Sequence, residues 1–244
     1  MMTAFSNWLD GSELGRYLLE REQAFFDRSV ADAFGYRAVQ FGASRHDFLR
    51  ENRIPWRARI GEDGEVGVVC DAAQLPLDSR SVDLLLLPHT LDFNAHPHQV
   101  LREAERVLLP EGRLVLTGFN PLSLWGGRRL VQGARRPPWS GRFLRLSRLR
   151  DWLELLGFER ADDAFMCYAP PFNRGDWLTR CRFMEAPGER WWPLAAGVYG
   201  VCAIKRQRGM RLITPRWQLA RPAAQLVTAG ERRHAACQPH DETL

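Results

Sequence analysis

Residues 81–119 narrow the choice of fold more than any other part of this sequence. "SVDLLLLP" (81–88) is a continuous apolar run, the pattern of a strand buried on both faces of a parallel sheet. "PHQVLREAERVLLPEG" (97–112) then spaces Val100, Leu101, Ala104, Val107 and Leu108 at helical intervals, and Pro-Glu-Gly breaks the pattern. "RLVLTGF" (113–119) returns to a strand. Strand, helix and strand at these lengths form a βαβ unit with two parallel, neighbouring strands. The fold class is therefore α/β.

The flanking patterns extend it. The spacing predicts a helix over 12–34, with Leu14, Tyr17, Leu18, Phe25 and Phe26 near one face, Ser12 as N-cap and Gly35 as stop. A strand is expected at 36–41, a loop at Gly42 and a helix around 45–53. Residues 56–60 and 64–70 read as strands joined by the turn "GEDGE". Residues 120–146 read as a Gly/Pro/Arg-rich insertion with a short helix near "SLWGGRRLV". A helix over 147–158 follows, capped by Ser147 and stopped by Gly157, with strands at 161–169 and 197–206. One domain is expected over 1–215. Residues 216–244 lose periodicity and are predicted to be disordered.

Composition sets limits. No apolar run approaches the roughly 20 residues that span a bilayer, and the N-terminus lacks a basic region followed by an apolar one. Cys70, Cys167, Cys181, Cys202 and Cys237 show no metal-ligand spacing and read as reduced thiols of a cytoplasmic protein. Charge is uneven: residues 1–127 hold 13 Arg against 18 acids, whereas residues 128–244 hold 21 Lys+Arg against 11 acids. Residues 128–150 contain eight arginines and no acid, so contact with an anion or RNA through this stretch is one reading, and a solvated basic surface is the other.

The stretch "CDAAQLPLDSRSVDLLLLPHTLDFNAHPHQVLREAERVLLPEGRLVLTGFNP" (70–121) closely resembles the central segment of class I S-adenosylmethionine (SAM)-dependent methyltransferases of the type 11 domain group. The resemblance rests on Asp71-Ala72, "LPL", "SVDLLLL", "LREAERVL" and "PEGRLVL" in that order. "FGYRAVQFG", "LPHTLDF" and "GFNPLSLWG" also resemble a proteobacterial branch of that family. It implies a Rossmann-like, largely parallel sheet with flanking helices, and SAM at the carboxyl ends of the first strands. By the same resemblance Gly42 is the first glycine of the cofactor loop, and Asp71 bonds the adenine amino group. The backbone of Ala72 approaches the ring, and His89 lines the methyl-donor pocket.

Two departures stand out. The loop that usually reads acid-x-Gly-x-Gly-x-Gly is here Gln40, Phe41, Gly42, Ala43, Ser44, Arg45 and His46. Gln40 replaces a carboxylate, and Ser44 is small enough to hydrogen-bond the amino-acid end of SAM. Only 17 residues (54–70) separate the expected helix from Asp71, so the fold should be abbreviated around its second strand. Glu62, Asp63 and Glu65 are the candidates for the acid that holds the ribose.

For the chemistry, His89, near Asp92 and Asn120, reads first as a pocket-lining or capping residue and second as a general base. His96-Pro97-His98 lacks a carboxylate or cysteine at a familiar spacing, so no metal is expected. Trp125, Trp139, Trp177, Trp191 and Trp192 read as core or as a stacking surface for the acceptor. The leading expectation is a SAM-dependent methyltransferase of unknown acceptor. The alternatives are a non-catalytic protein of the same fold and, behind it, a basic RNA-binding protein.

Overall fold

The structure, a computed structural model of the chain, describes residues 2–62, 66–133, 136–173 and 175–206. The expected disordered tail at 216–244 lies outside the described residues, as do Asp63 and Glu65. Two helices open the chain, α1 (Met2–Gly11) and α2 (Glu13–Ala31), with the Ser12 side chain accepting from the Gly15 amide as the N-cap of α2. Strands β1 (Arg37–Phe41), β2 (Trp56–Gly61), β3 (Val68–Val69) and β4 (Val82–Pro88) follow. Helices α3 (Thr90–Phe93) and α4 (Pro97–Val107) lead to β5 (Leu108–Phe119), and α5 (Leu124–Gln132) and α6 (Leu146–Leu155) lead to β6 (Phe158–Met166). The last elements are α7 (Gly175–Cys181), α8 (Glu185–Trp191) and β7 (Val198–Lys205).

The seven strands form one sheet in the order β3-β2-β1-β4-β5-β7-β6, in which only β7 runs antiparallel to its neighbours. Strand β4 shows why its sequence is apolar from Leu84 to Leu87. Leu84 and Leu86 pack into the core under α1 and α2, while Leu85 and Leu87 face the core built with α4 and α6. The chain steps outward from β1 to β3 and then returns to the other side of β1 as β4. That reversal leaves a crevice at the carboxyl ends of β1 and β4, where open α/β sheets bind ligands.

Three expectations are corrected. Residues 45–53 form turns and not a helix, because the buried Gln40 side chain takes the local backbone groups. Its Nε2 donates to the carbonyls of Gly42, Ala43 and His46, and its Oε1 accepts from the Phe48 amide at 3.0 Å. A carboxylate could not donate to carbonyls, so Gln40 organises this loop in a way the usual acid would not. Second, of the strand expected at 64–70 the described part forms only β3, Val68–Val69, while the abbreviation around the second strand is as expected, with no helix among the described residues between β2 and β3. Third, α6 begins at Leu146 behind Arg145, so Ser147 lies inside the helix. The breaker Pro110-Glu111-Gly112 lies within β5, where Glu111 takes φ 64° and the pairing with β4 shifts register.

Candidate functional site

The crevice is built from loop residues at strand ends. After β1 the chain turns at Gly42, with φ +81°, and its amide donates to the Ile60 carbonyl at 2.9 Å. Ala43 follows in the same left-handed region with φ 44°. Ser44 is half-buried, and its carbonyl accepts from Arg59 at 3.0 Å. Glu62 comes directly after β2. Asp71 is exposed just after β3, its Oδ1 accepting from the Ala73 amide at 2.8 Å. The Asn94 side chain donates through Nδ2 both to Glu62 Oε1 at 3.4 Å and to Asp71 Oδ1 at 3.3 Å. Two carboxylates from neighbouring strand ends thus converge on one amide. Ala72 is buried in the adjoining core.

His89, at the end of β4, holds φ 49°, a conformation few non-glycine residues adopt. Its ring is fully buried, with Nδ1 2.8 Å from Asp92 Oδ2 and Nε2 2.9 Å from Glu22 Oε1. Glu22 comes from α2. Burial alone would lower the His89 pKa, but the two carboxylates together outweigh it and push it up to about 9. The Asp92 carboxyl is held above its ordinary value, chiefly by burial and against the pull of His89. The ring is therefore protonated at neutral pH, with Nδ1 hydrogen-bonded to Asp92 and Nε2 close to Glu22 without hydrogen-bond alignment. His89, expected first as a pocket-lining or capping residue and second as a general base, thus has both ring nitrogens against carboxylates and its ring sealed from solvent. Asn120 is likewise engaged, donating to the carbonyls of Leu194 and Ala196.

Helix α1, to which the sequence reading assigns no element, covers this crevice. A Cβ built on Gly42 would stand 2.8 Å from the Met2 methyl carbon. The Phe5 ring lies 5.1 Å from His89, 4.7 Å from Phe93 and 6.1 Å from Phe119. Asp10, near the end of α1, pairs with Arg45 at 3.0 Å and with His46 at 3.1 Å. Set against an adenosyl-methionine ligand, the nucleoside end fits, since Glu62 and Asp71 offer acceptors at the ends of β2 and β3. Met2 and Phe5 of α1 occupy the space against Gly42 and His89, where the resemblance places the rest of the ligand.

Sequence reasoning missed Met2, Phe5 and Glu22. A signal for Glu22 existed: it follows Leu18 by four residues and precedes Phe25 by three, which puts a carboxylate on the apolar face of α2. Of the tryptophans, Trp125 and Trp139 are buried and Trp177, Trp191 and Trp192 are exposed. His98 packs edge-on against Trp152 at 5.4 Å.

Residues 47–116 match the family model described as a methyltransferase domain. Uncharacterized protein YafS of Escherichia coli K12 is 48% identical over 95 residues, which are 38% of this chain and only 40% of that protein's length. A solved SAM-dependent methyltransferase from Thermotoga maritima has a TM-score of 0.57 at 19% identity, covering 84% of this chain and 100% of that one. A SAM-dependent methyltransferase from Archaeoglobus fulgidus has a TM-score of 0.56 at 18% identity, covering 82% and 98%. These likenesses, together with the strand order, show that the described body has the class I methyltransferase fold, and residues 47–116 are similar to the methyltransferase domain family.

Proposed function

We propose that this chain is a SAM-dependent methyltransferase whose helix α1 moves aside when the cofactor enters. The observation that carries this reading is the meeting of Glu62 and Asp71 at one amide, beside the positive-φ turn at Gly42. Glu62 would accept from the ribose hydroxyls and Asp71 from the adenine amino group, while the Gly42–Ala43 turn brings backbone close to the ligand. When bound, SAM supplies an already activated methyl group for in-line displacement. What the chain adds is alignment and a dry wall, formed by the buried rings of Phe93 and Phe119. His89 acts as a positioning residue that holds Glu22 and Asp92. The acceptor must therefore arrive deprotonated or offer a lone pair without needing a base.

Displacing α1 exposes Met2, Phe5 and Leu9, at about 1.5–3 kcal/mol for each side chain. Each 1.4 kcal/mol weakens apparent affinity about tenfold. Calorimetric titration with S-adenosylhomocysteine, the demethylated product, tests the reading. Asp71→Ala and Glu62→Ala are each expected to weaken binding about tenfold or more, and Phe5→Ala to tighten it about tenfold. A second reading, a non-catalytic protein of this fold, is favoured by Met2 and Phe5 occupying the space against Gly42 and His89. It prevails if neither the natural chain nor Phe5→Ala binds the product at millimolar concentration.

A further inference from the structure

A cavity opens between the start of α4, the end of β5 and α6. Its volume is about 670 Å³, within the range of small-molecule pockets, and its walls include Pro121, Arg142, Arg145, Arg148, Asp151 and Trp152. Three arginines face one concavity. Among the described residues, the Arg142 and Arg145 guanidinium groups have no ion pair or hydrogen bond, and Arg148 has only the Trp152 ring, 5.1 Å from its guanidinium carbon. The acid in the wall, Asp151, pairs with none of them. Elsewhere in the chain, arginines such as Arg106, Arg150 and Arg206 do have carboxylate partners. Three unneutralised guanidinium groups around one hollow repel one another, and an anion between them would relieve that repulsion.

The cavity is mechanically tied to the candidate site. The Arg142 amide donates to the Asp92 carbonyl at 2.6 Å. The Phe143 ring stacks on Phe119 at 4.8 Å, and Phe119 stacks on His89 at 4.0 Å. Trp152 supplies a flat face for an apolar body next to the charges.

We propose that this cavity binds a small flat organic anion, its phosphate or carboxylate on Arg142, Arg145 and Arg148 and its apolar body against Trp152. Its identification as the methyl acceptor rests on the methyltransferase reading; the anion site itself does not. An anionic acceptor suits a crevice that offers no free base. A small molecule is favoured over RNA because the charges converge on one hollow that also contains Asp151, whose carboxylate would repel a continuous phosphate track.

The test is calorimetric titration of the full chain with phenyl phosphate, benzoate and phenol, with S-adenosylhomocysteine titrated in parallel. Phenyl phosphate or benzoate is expected to bind one to one and at least about tenfold more tightly than phenol, and whichever is tighter identifies the anionic group. Arg145→Gln should weaken binding about tenfold, Arg145→Lys should recover part of it, and Arg142→Gln with Arg145→Gln should remove it. Arg102→Gln, on α4 outside the cavity, should leave it unchanged. All these arginines are exposed, so the substitutions test charge and not folding. The proposal is overturned if phenol binds as well as the anions, or if anion binding survives the double substitution. It is also overturned if a single-stranded RNA oligonucleotide displaces phenyl phosphate with an affinity that falls steeply with salt. Anion binding without product binding would keep the cavity and sink the methyltransferase reading; the reverse would sink the cavity alone.

Discussion

Replacing His89 with alanine is expected to destabilise the fold by about 3–5 kcal/mol, because it leaves two buried carboxylates facing each other without the cation between them. Glu22, His89 and Asp92 are all sealed from solvent, so water cannot take over the lost contacts. Glu22→Gln keeps the shape and removes one charge, and should cost less than the alanine change. Urea unfolding followed by circular dichroism reads both, and a loss below about 1 kcal/mol for His89→Ala would show that the cluster does not carry this weight. The same cluster predicts a pH dependence with a definite sign. His89 is raised from its ordinary 6.5 to about 9 in the folded chain, so the native state holds its proton more tightly than the unfolded one. Its contribution is fully present below pH 6.5 and is lost as pH rises through 9, a fall of about 3 kcal/mol. In His89→Gln this alkaline fall should disappear. The raised Asp92 works in the same direction at the acid end, where stability falls as pH rises past the ordinary aspartate range.

Phe119→Ala is the second large effect expected, again about 3–5 kcal/mol, from lost transfer energy plus the cavity left in a core that can relax only partly. Phe119 ends β5 and is fully buried, and its ring meets His89, Phe143, Trp125 and Phe5. These neighbours come from four separate stretches of the chain, so no single shift refills the space. Phe119→Leu should recover about half of the loss. A double-mutant cycle with Phe143→Ala should show a coupling of about 0.5–1.5 kcal/mol for the stacked pair. Additive losses within a few tenths would mean that the two rings act independently, and that the proposed tie between crevice and cavity is absent.

How much of this was legible in the sequence varies element by element. The β4-α4-β5 unit was readable because a doubly buried strand and an amphipathic helix write their burial directly into apolar spacing. Ser12 as the cap of α2 was readable for the same local reason. The turn at Gly42 was legible from one residue, since a left-handed turn next to a packed helix favours glycine. By contrast, the helix expected over 45–53 was not formed, because one amide side chain, Gln40, outbids helical pairing for four backbone groups. Of the candidates for a ribose acid, only Glu62 is among the described residues, and it follows β2 directly.

Taken by itself, the sequence determined the alternation of strands and helices, and with it the parallel β4-α4-β5 unit at the centre of the sheet. Apolar periodicity is a local property, and local properties survive being read one residue after another. Only the tertiary structure decided that α1 lies over the crevice, that His89 is clamped between Glu22 of α2 and Asp92 of α3, and that three arginines surround one hollow. Those outcomes depend on which distant side chains packing brings within about 3–6 Å, the range over which charges in a poorly hydrated interior act strongly on one another.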